Sequence, residues 1–126
     1  MEFTIKQLFS VVDVDGGFRL STEVEDVCNI LNQATGDKLM THQLPTAMKF
    51  LAKIKPKWFE KATITIDIIK IAVGDDFEEL MKFIDGSLSN YTINVTTMDS
   101  SYREEYEKFM IDNSLLIKKA NESNRD

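Results

Sequence analysis

Residues 62–73, ATITIDIIKIAV, decide how the rest of this chain is read. The run is β-branched almost throughout, and apolar and polar residues alternate from Thr63 to Ile68, the period of a half-buried strand. The alternation slips at Ile68-Ile69, which places a bulge there or buries both faces. A second alternating run, NYTINVTTM at 90–98, sets Tyr91, Ile93 and Val95 against Thr92, Asn94 and Thr96. Between the two, Gly74-Asp75-Asp76 opens a helix with Phe77, Leu80, Met81 and Ile84 on one face, stopped at Gly86. The pairs Asp75/Glu78 and Asp76/Glu79 have capping spacing, and acids there suit the helix dipole. The connection is long enough for parallel or antiparallel pairing of the two strands. A last helix runs from about Ser100 to Ala120, with Ser101 and Glu104 as its capping box. Its inner stripe is Tyr102, Tyr106, Phe109, Met110, Asn113 and Ile117. Ile64, Ile66, Ile93 and Val95 are thus expected in one small sheet, covered by helices over 76–85 and 101–120.

The first half reads differently. Thr4 caps a short helix that buries Ile5, Leu8 and Phe9. The sequence VVDVDGGFRL then predicts a β-hairpin over 11–20, since Asp15-Gly16 or Gly16-Gly17 supplies the positive φ angles of a tight turn. Thr22 and Glu25 form a capping box for a helix over 22–34 that buries Val24, Val27, Cys28, Leu31 and Ala34. The stretch Thr35–Pro45, TGDKLMTHQLP, stops that helix at Gly36 and restarts another, with Thr41 as cap and Pro45 in the first turn. The restarted helix, about 45–54, buries Leu44, Ala47, Met48, Leu51 and Ile54, and Pro56 ends or kinks it. The fold class is α+β, one small domain over 1–126. A mainly helical half, 1–61, precedes a β-α-β-α half, 62–120, and a frayed tail, 121–126.

With 126 residues, 43% hydrophobic and 29% charged, the composition is that of a soluble globular domain. No apolar run approaches the roughly 20 residues that span a bilayer, and MEFTIKQLF is not a secretory signal. One cysteine fits a reducing compartment. The net charge of −6 is segregated: residues 1–37 carry two bases and seven acids, 38–61 six lysines and one acid, 62–126 seven bases and thirteen acids. Such blocks favour oriented encounters with a charged partner.

Catalytic and metal sites are not legible. Asp13-Val14-Asp15-Gly16 resembles the start of a calcium loop, but Gly17, Phe18 and Val24 stand where ligands, glycine and glutamate are needed. Cys28 lies on a buried face, where a free cysteine acts as a small hydrophobe. The one histidine, His42, follows a capping position, so its ring is expected to bond backbone near the 35–45 turn. No catalytic residue, metal or cofactor is assigned. Two charged surfaces remain. Acidic patches at Asp75, Asp76, Glu78 and Glu79, and at Glu104, Glu105 and Glu107, suit a basic partner, with Trp58 as an aromatic anchor. A basic patch of Lys49, Lys53, Lys55, Lys57 and Lys61, with Lys49, Lys53 and Lys57 in one stripe, suits phosphate. A sequence pI near 4.8 disfavours stable nucleic-acid binding.

The IKQLFSVV start, the turn into FRL, VEDVCNILNQATGDKLMTHQLP and the lysine-bearing helix after it carry a resemblance. Together, Ile5 to about Phe59 resembles a family of small bacteriophage and prophage proteins of unassigned activity, marked by a TGDxLxTHQLP motif. Thr46 departs from the basic residue expected in relatives. The resemblance implies a phage accessory protein acting in the host bacterial cytoplasm, with no membrane partner. The function expected from it is non-enzymatic inhibition of a host or defence protein, such as a nuclease effector, in an anti-CRISPR-like manner through an acidic surface. The alternative is a replication or packaging accessory that binds nucleic acid or a phage partner through the Lys49/Lys53/Lys57 stripe.

Overall fold

The computed structural model describes residues 1–12, 23–74 and 76–123, with side chains as far as Asn113. Among these are six α-helices and one two-stranded antiparallel sheet. The helices are α1 (Ile5–Val12), α2 (Val24–Thr35), α3 (Leu44–Ile54), α4 (Lys57–Val73), α5 (Phe77–Ser87) and α6 (Arg103–Ser123). The strands are β1 (Glu2–Thr4) and β2 (Thr92–Asn94), paired as Glu2 with Asn94, Phe3 with Ile93 and Thr4 with Thr92.

The largest correction concerns residues 62–73, which are helical. They form the greater part of α4, continuous from Lys57 to Val73. The strand pattern of Thr63–Ile68 coexists with a second pattern of period 3.6: Trp58, Ala62, Ile66 and Ile69 are buried at spacings of four, four and three. Each β-branched residue lowers helix propensity by only a few tenths of a kcal/mol, whereas burying one such side chain is worth about 1.5–3 kcal/mol. Tertiary burial therefore decides. Thr63 and Thr65 fit the helix by donating their hydroxyls to the carbonyls of Phe59 (2.9 Å) and Lys61 (2.8 Å). Ile66, Ile93 and Val95 are buried as expected, but Ile64 is exposed. The partner of the 90–98 strand is β1, at the start of the chain.

The short helix α1 is the hub. Ile5, Leu8, Phe9, Ser10, Val11 and Val12 are all buried, and α2, α4 and α5 pack around it. Its start is a reciprocal cap: the Gln7 amide N–H donates to Thr4 Oγ1 (3.2 Å) while Thr4 N–H donates to Gln7 Oε1 (2.8 Å). A smaller apolar cluster joins α3 to α6, where the Phe50 ring lies 5.3 Å from Tyr106 and 5.4 Å from Phe109.

Other boundaries differ in detail. The hairpin expected over 11–20 lies outside the described residues, apart from Val11 and Val12, which close α1. Thr22 is outside them too; Glu23 precedes α2 without a side-chain cap, and Val24 is exposed. Thr41 opens a short 3₁₀ turn, Thr41–Gln43, ahead of α3. Asp99 takes the capping role expected of Ser101, accepting the Ser101 amide at 2.8 Å. Tyr102 of the expected inner stripe is exposed. The tail expected to fray from 121 continues α6 to Ser123.

Candidate functional site

The TGDKLMTHQLP stretch makes a tight corner between α2 and α3. Gly36 closes α2 at φ +77°, its N–H donating to the Asn32 carbonyl at 2.9 Å. Asn32 Oδ1 accepts the Leu39 amide (2.8 Å), and Gln43 Oε1 accepts the Met40 amide (2.9 Å). Pro45 falls in the first turn of α3, as expected. The corner is then gripped from the second half of the chain. Arg103 Nη1 pairs with Asp37 Oδ1 at 3.2 Å, and Nη2 donates to the Thr35 carbonyl at 2.9 Å. Thr97 Oγ1 donates to the Gln33 carbonyl and Met98 N–H to that of Ala34, both at 2.8 Å.

Between this corner and α6 lies an open groove of about 350 Å³. Leu39, Met110 and Ile111 give it an apolar lining, and Asp37, Lys38 and Glu107 are its charged residues. Ile111 exposes over half of its surface there, while Leu39 and Met110 are half-buried. Tyr106 also lines the groove, yet its side chain is buried and its hydroxyl makes no hydrogen bond of good geometry. Burial, with the nearby Asp37 charge, pushes its pKa up to about 12.

The lysines and acids assigned to separate surfaces meet. Lys53 Nζ pairs with Glu105 Oε1 at 3.1 Å and lies 5.8 Å from the centre of the Phe109 ring. Lys61 rests over Tyr91 at 5.9 Å. Lys49, Lys55 and Lys57 are exposed, but α3 ends at Ile54 and Lys57 begins α4, so Lys57 does not continue the Lys49–Lys53 row as expected, and Lys53 already faces a carboxylate. The acidic groups divide. Asp76 caps α5 by accepting the Glu79 amide (3.1 Å), Glu78 and Glu79 are exposed, and Asp75 lies outside the described residues. Glu104, Glu105 and Glu107 project from α6. Because α5 packs on α1 and α4 while α6 packs on α3, the two patches belong to different parts of the fold.

Trp58 is not a surface anchor. Both Trp58 and Phe59 are buried, in T-shaped contact at 5.7 Å. Adjacent bulky residues can both point inward here because they stand in the first turn of α4, where the core wraps the helix end. His42 is exposed on the 3₁₀ turn, and among the described residues no hydrogen bond holds its ring, contrary to expectation. Among the described residues no cluster of three or more His, Cys, Asp or Glu side chains could hold a metal ion, and no helix is long and apolar enough to cross a membrane. Sequence reading missed Arg103 and the groove floor. The available hint was Leu39-Met40, an apolar pair inside an otherwise polar connection.

Residues 3–63 match a family model described as "Domain of unknown function (DUF7736)". The matched segment runs from β1 to the second turn of α4 and contains the corner, but none of the residues that grip it. No curated protein and no solved structure matches the chain.

Proposed function

We propose that this protein is a non-enzymatic inhibitor that seats a basic, partly apolar element of a host or defence protein in the groove between residues 37–43 and α6. The observation that carries this reading is the union, at one groove, of a partly exposed apolar lining (Leu39, Met110, Ile111) with the Glu107 carboxylate; Asp37 is already paired with Arg103, and Lys38 stands on the same wall. An apolar centre with a charged rim is the usual anatomy of a protein-binding hot spot. Glu104 adds a further carboxylate one turn before Glu107 on α6. The Lys53–Glu105 pair weakens the competing nucleic-acid reading, because a lysine already facing a carboxylate releases less counterion on meeting phosphate. The setting, a phage protein in a bacterial cytoplasm with an anti-CRISPR-like role, rests on the motif resemblance.

The test pairs two measurements on the full chain. Immobilised protein is used to capture partners from bacterial lysate, alongside a Glu104→Lys/Glu107→Lys variant and a Met110→Asp variant. A specific partner, retained by the wild type and lost by both variants, whose activity falls on addition of the soluble protein, supports the proposal. Retention by both variants removes the groove. Salt-sensitive binding to duplex DNA that weakens on replacing Lys49, Lys55 and Lys57 would establish the accessory reading instead.

A further inference from the structure

Helix α3 is buried on two faces. Leu44, Met48 and Leu51 belong to the continuous core shared with α1, α2, α4, α5 and the sheet, whereas Phe50, fully buried, lies outside it. What covers Phe50 is α6, whose Tyr106 and Phe109 rings lie 5.3 and 5.4 Å from it. Helix α6 thus docks through a satellite cluster of rings, and Phe109 is only half-buried there. Between Arg103 and Asn113, Tyr106 is the only fully buried side chain. The ties around the cluster are polar and open to water. Arg103 meets Asp37 and the Thr35 carbonyl, and Lys53 meets Glu105, all four charged side chains being more than a third exposed. Such pairs do little to hold a helix down.

The chain just before α6 is fixed more firmly. Thr97 and Met98 bond the Gln33 and Ala34 carbonyls of α2, and Val95 is part of the continuous core. Between these anchors and Arg103 stands the exposed turn Ser100–Tyr102. A pivot there releases α6 without disturbing the sheet or the core. We propose that α6 is a detachable strap, which opens as a unit about this turn while the rest of the protein stays folded. Proteins open in cooperative units, most readily where few apolar side chains are buried. Opening removes one wall of the groove and uncovers Phe50. The groove therefore exists only in the closed form, and the apparent affinity of anything seated in it scales with the closed fraction. The inference concerns how that wall is held, and it stands whether or not the groove seats a host protein.

Native-state hydrogen exchange of the full chain, followed residue by residue by NMR, tests it. Amides 107–113, bonded within α6, should share one opening equilibrium and exchange roughly a hundredfold or more faster than amides 9–12 of α1. Low urea should speed both, with the shallower slope for α6, because its opening exposes less surface. Ile66→Val, a mild change in the core, separates the strap from global unfolding. It destabilises the closed and strap-open forms alike. Exchange in α1 should therefore speed up about twofold to tenfold while exchange in α6 stays unchanged. Arg103→Ala destabilises only the closed form, so it should speed exchange in α6, and in α1 with it, by about fivefold to thirtyfold. Equal protection of α6 and α1, or faster exchange in both on Ile66→Val, would overturn the proposal. So would α6 rates that rise steadily toward its end and ignore urea, which is fraying.

Discussion

Arg103 holds Asp37 and the Thr35 carbonyl together from across 66 and 68 residues of sequence, at 3.2 and 2.9 Å. Its guanidinium also lies 5.6 Å from the centre of the Tyr106 ring. One side chain therefore ties the corner of the matched segment to the helix that forms the other wall of the groove. Arg103→Ala should lower stability by about 1–2 kcal/mol, chiefly through the lost carbonyl bond, since the half-exposed ion pair alone is worth less than about 1 kcal/mol. Arg103→Lys should not restore it, because an ammonium cannot serve both acceptors with the same planar fork. Urea denaturation of both variants checks this, and a lysine variant as stable as wild type would remove the fork from the account.

Two backbone positions with positive φ should respond in opposite directions. Gly36 sits at +77°, and a Cβ there would meet Arg103 Nη2 at 3.1 Å and Thr97 Cγ2 at 3.2 Å. Gly36→Ala should cost about 1–3 kcal/mol. Lys55, which ends α3 at φ +48°, has no such excuse. Lys55→Gly should raise stability by roughly 0.5–1 kcal/mol by relieving left-handed strain. Thermal melts of the two variants, shifted down and up respectively, are the expected outcome.

Tyr106 separates packing from hydrogen bonding. Its hydroxyl is buried without a partner, so Tyr106→Phe should be neutral or stabilising by up to about 1 kcal/mol. Tyr106→Ala should cost about 3–5 kcal/mol through the cavity left beside Phe50. The raised pKa gives a pH signature. Above the unfolded value of 10.0 the unfolded chain releases this proton, while the folded chain keeps it to about 12. The unfolded state then binds fewer protons, so stability falls as pH rises from 10 toward 12. That component of the alkaline loss should vanish in Tyr106→Phe, measured as denaturation midpoint against pH.

Helix α4 supplies the sharpest contrast between sequence and structure. In a strand, Ile64 and Ile66 would share a face; in α4, Ile66 is 3% exposed and Ile64 58%. Ile66→Ala should therefore cost about 2–5 kcal/mol, and Ile64→Ala within about 0.5 kcal/mol of nothing. Equal losses would return residues 62–73 to a sheet.

Where local chemistry is decisive, the sequence was readable. Thr4, Gly36, Pro45 and Asp76 each sit where capping and turn rules put them, because a cap depends on residues within one turn of itself. Ile93 and Val95 were recognised for a similar reason, their alternation being matched by no competing helical pattern. Residues 62–73 carry both patterns, and only the presence of α1 beneath Ala62, Ile66 and Ile69 selects one. The groove was illegible because its two walls come from segments about 70 residues apart, joined by an arginine whose partners no spacing rule announces. The charged surfaces were identified by composition but mislocated in relation to one another, since Lys53 and Glu105 become neighbours only when α6 lies on α3.

The pairing of β1 with β2 bears on how the matched segment can be inherited. Residues 3–63 include Phe3, whose strand is completed only by Thr92–Asn94, and α1, whose flank is closed by Leu80 and Ile84 of α5. The segment is therefore not a self-sufficient module. In this chain it is completed by a strand some 90 residues later and by a helix that follows it. The corner itself depends on those later residues, because Thr97, Met98 and Arg103 supply the bonds that hold it.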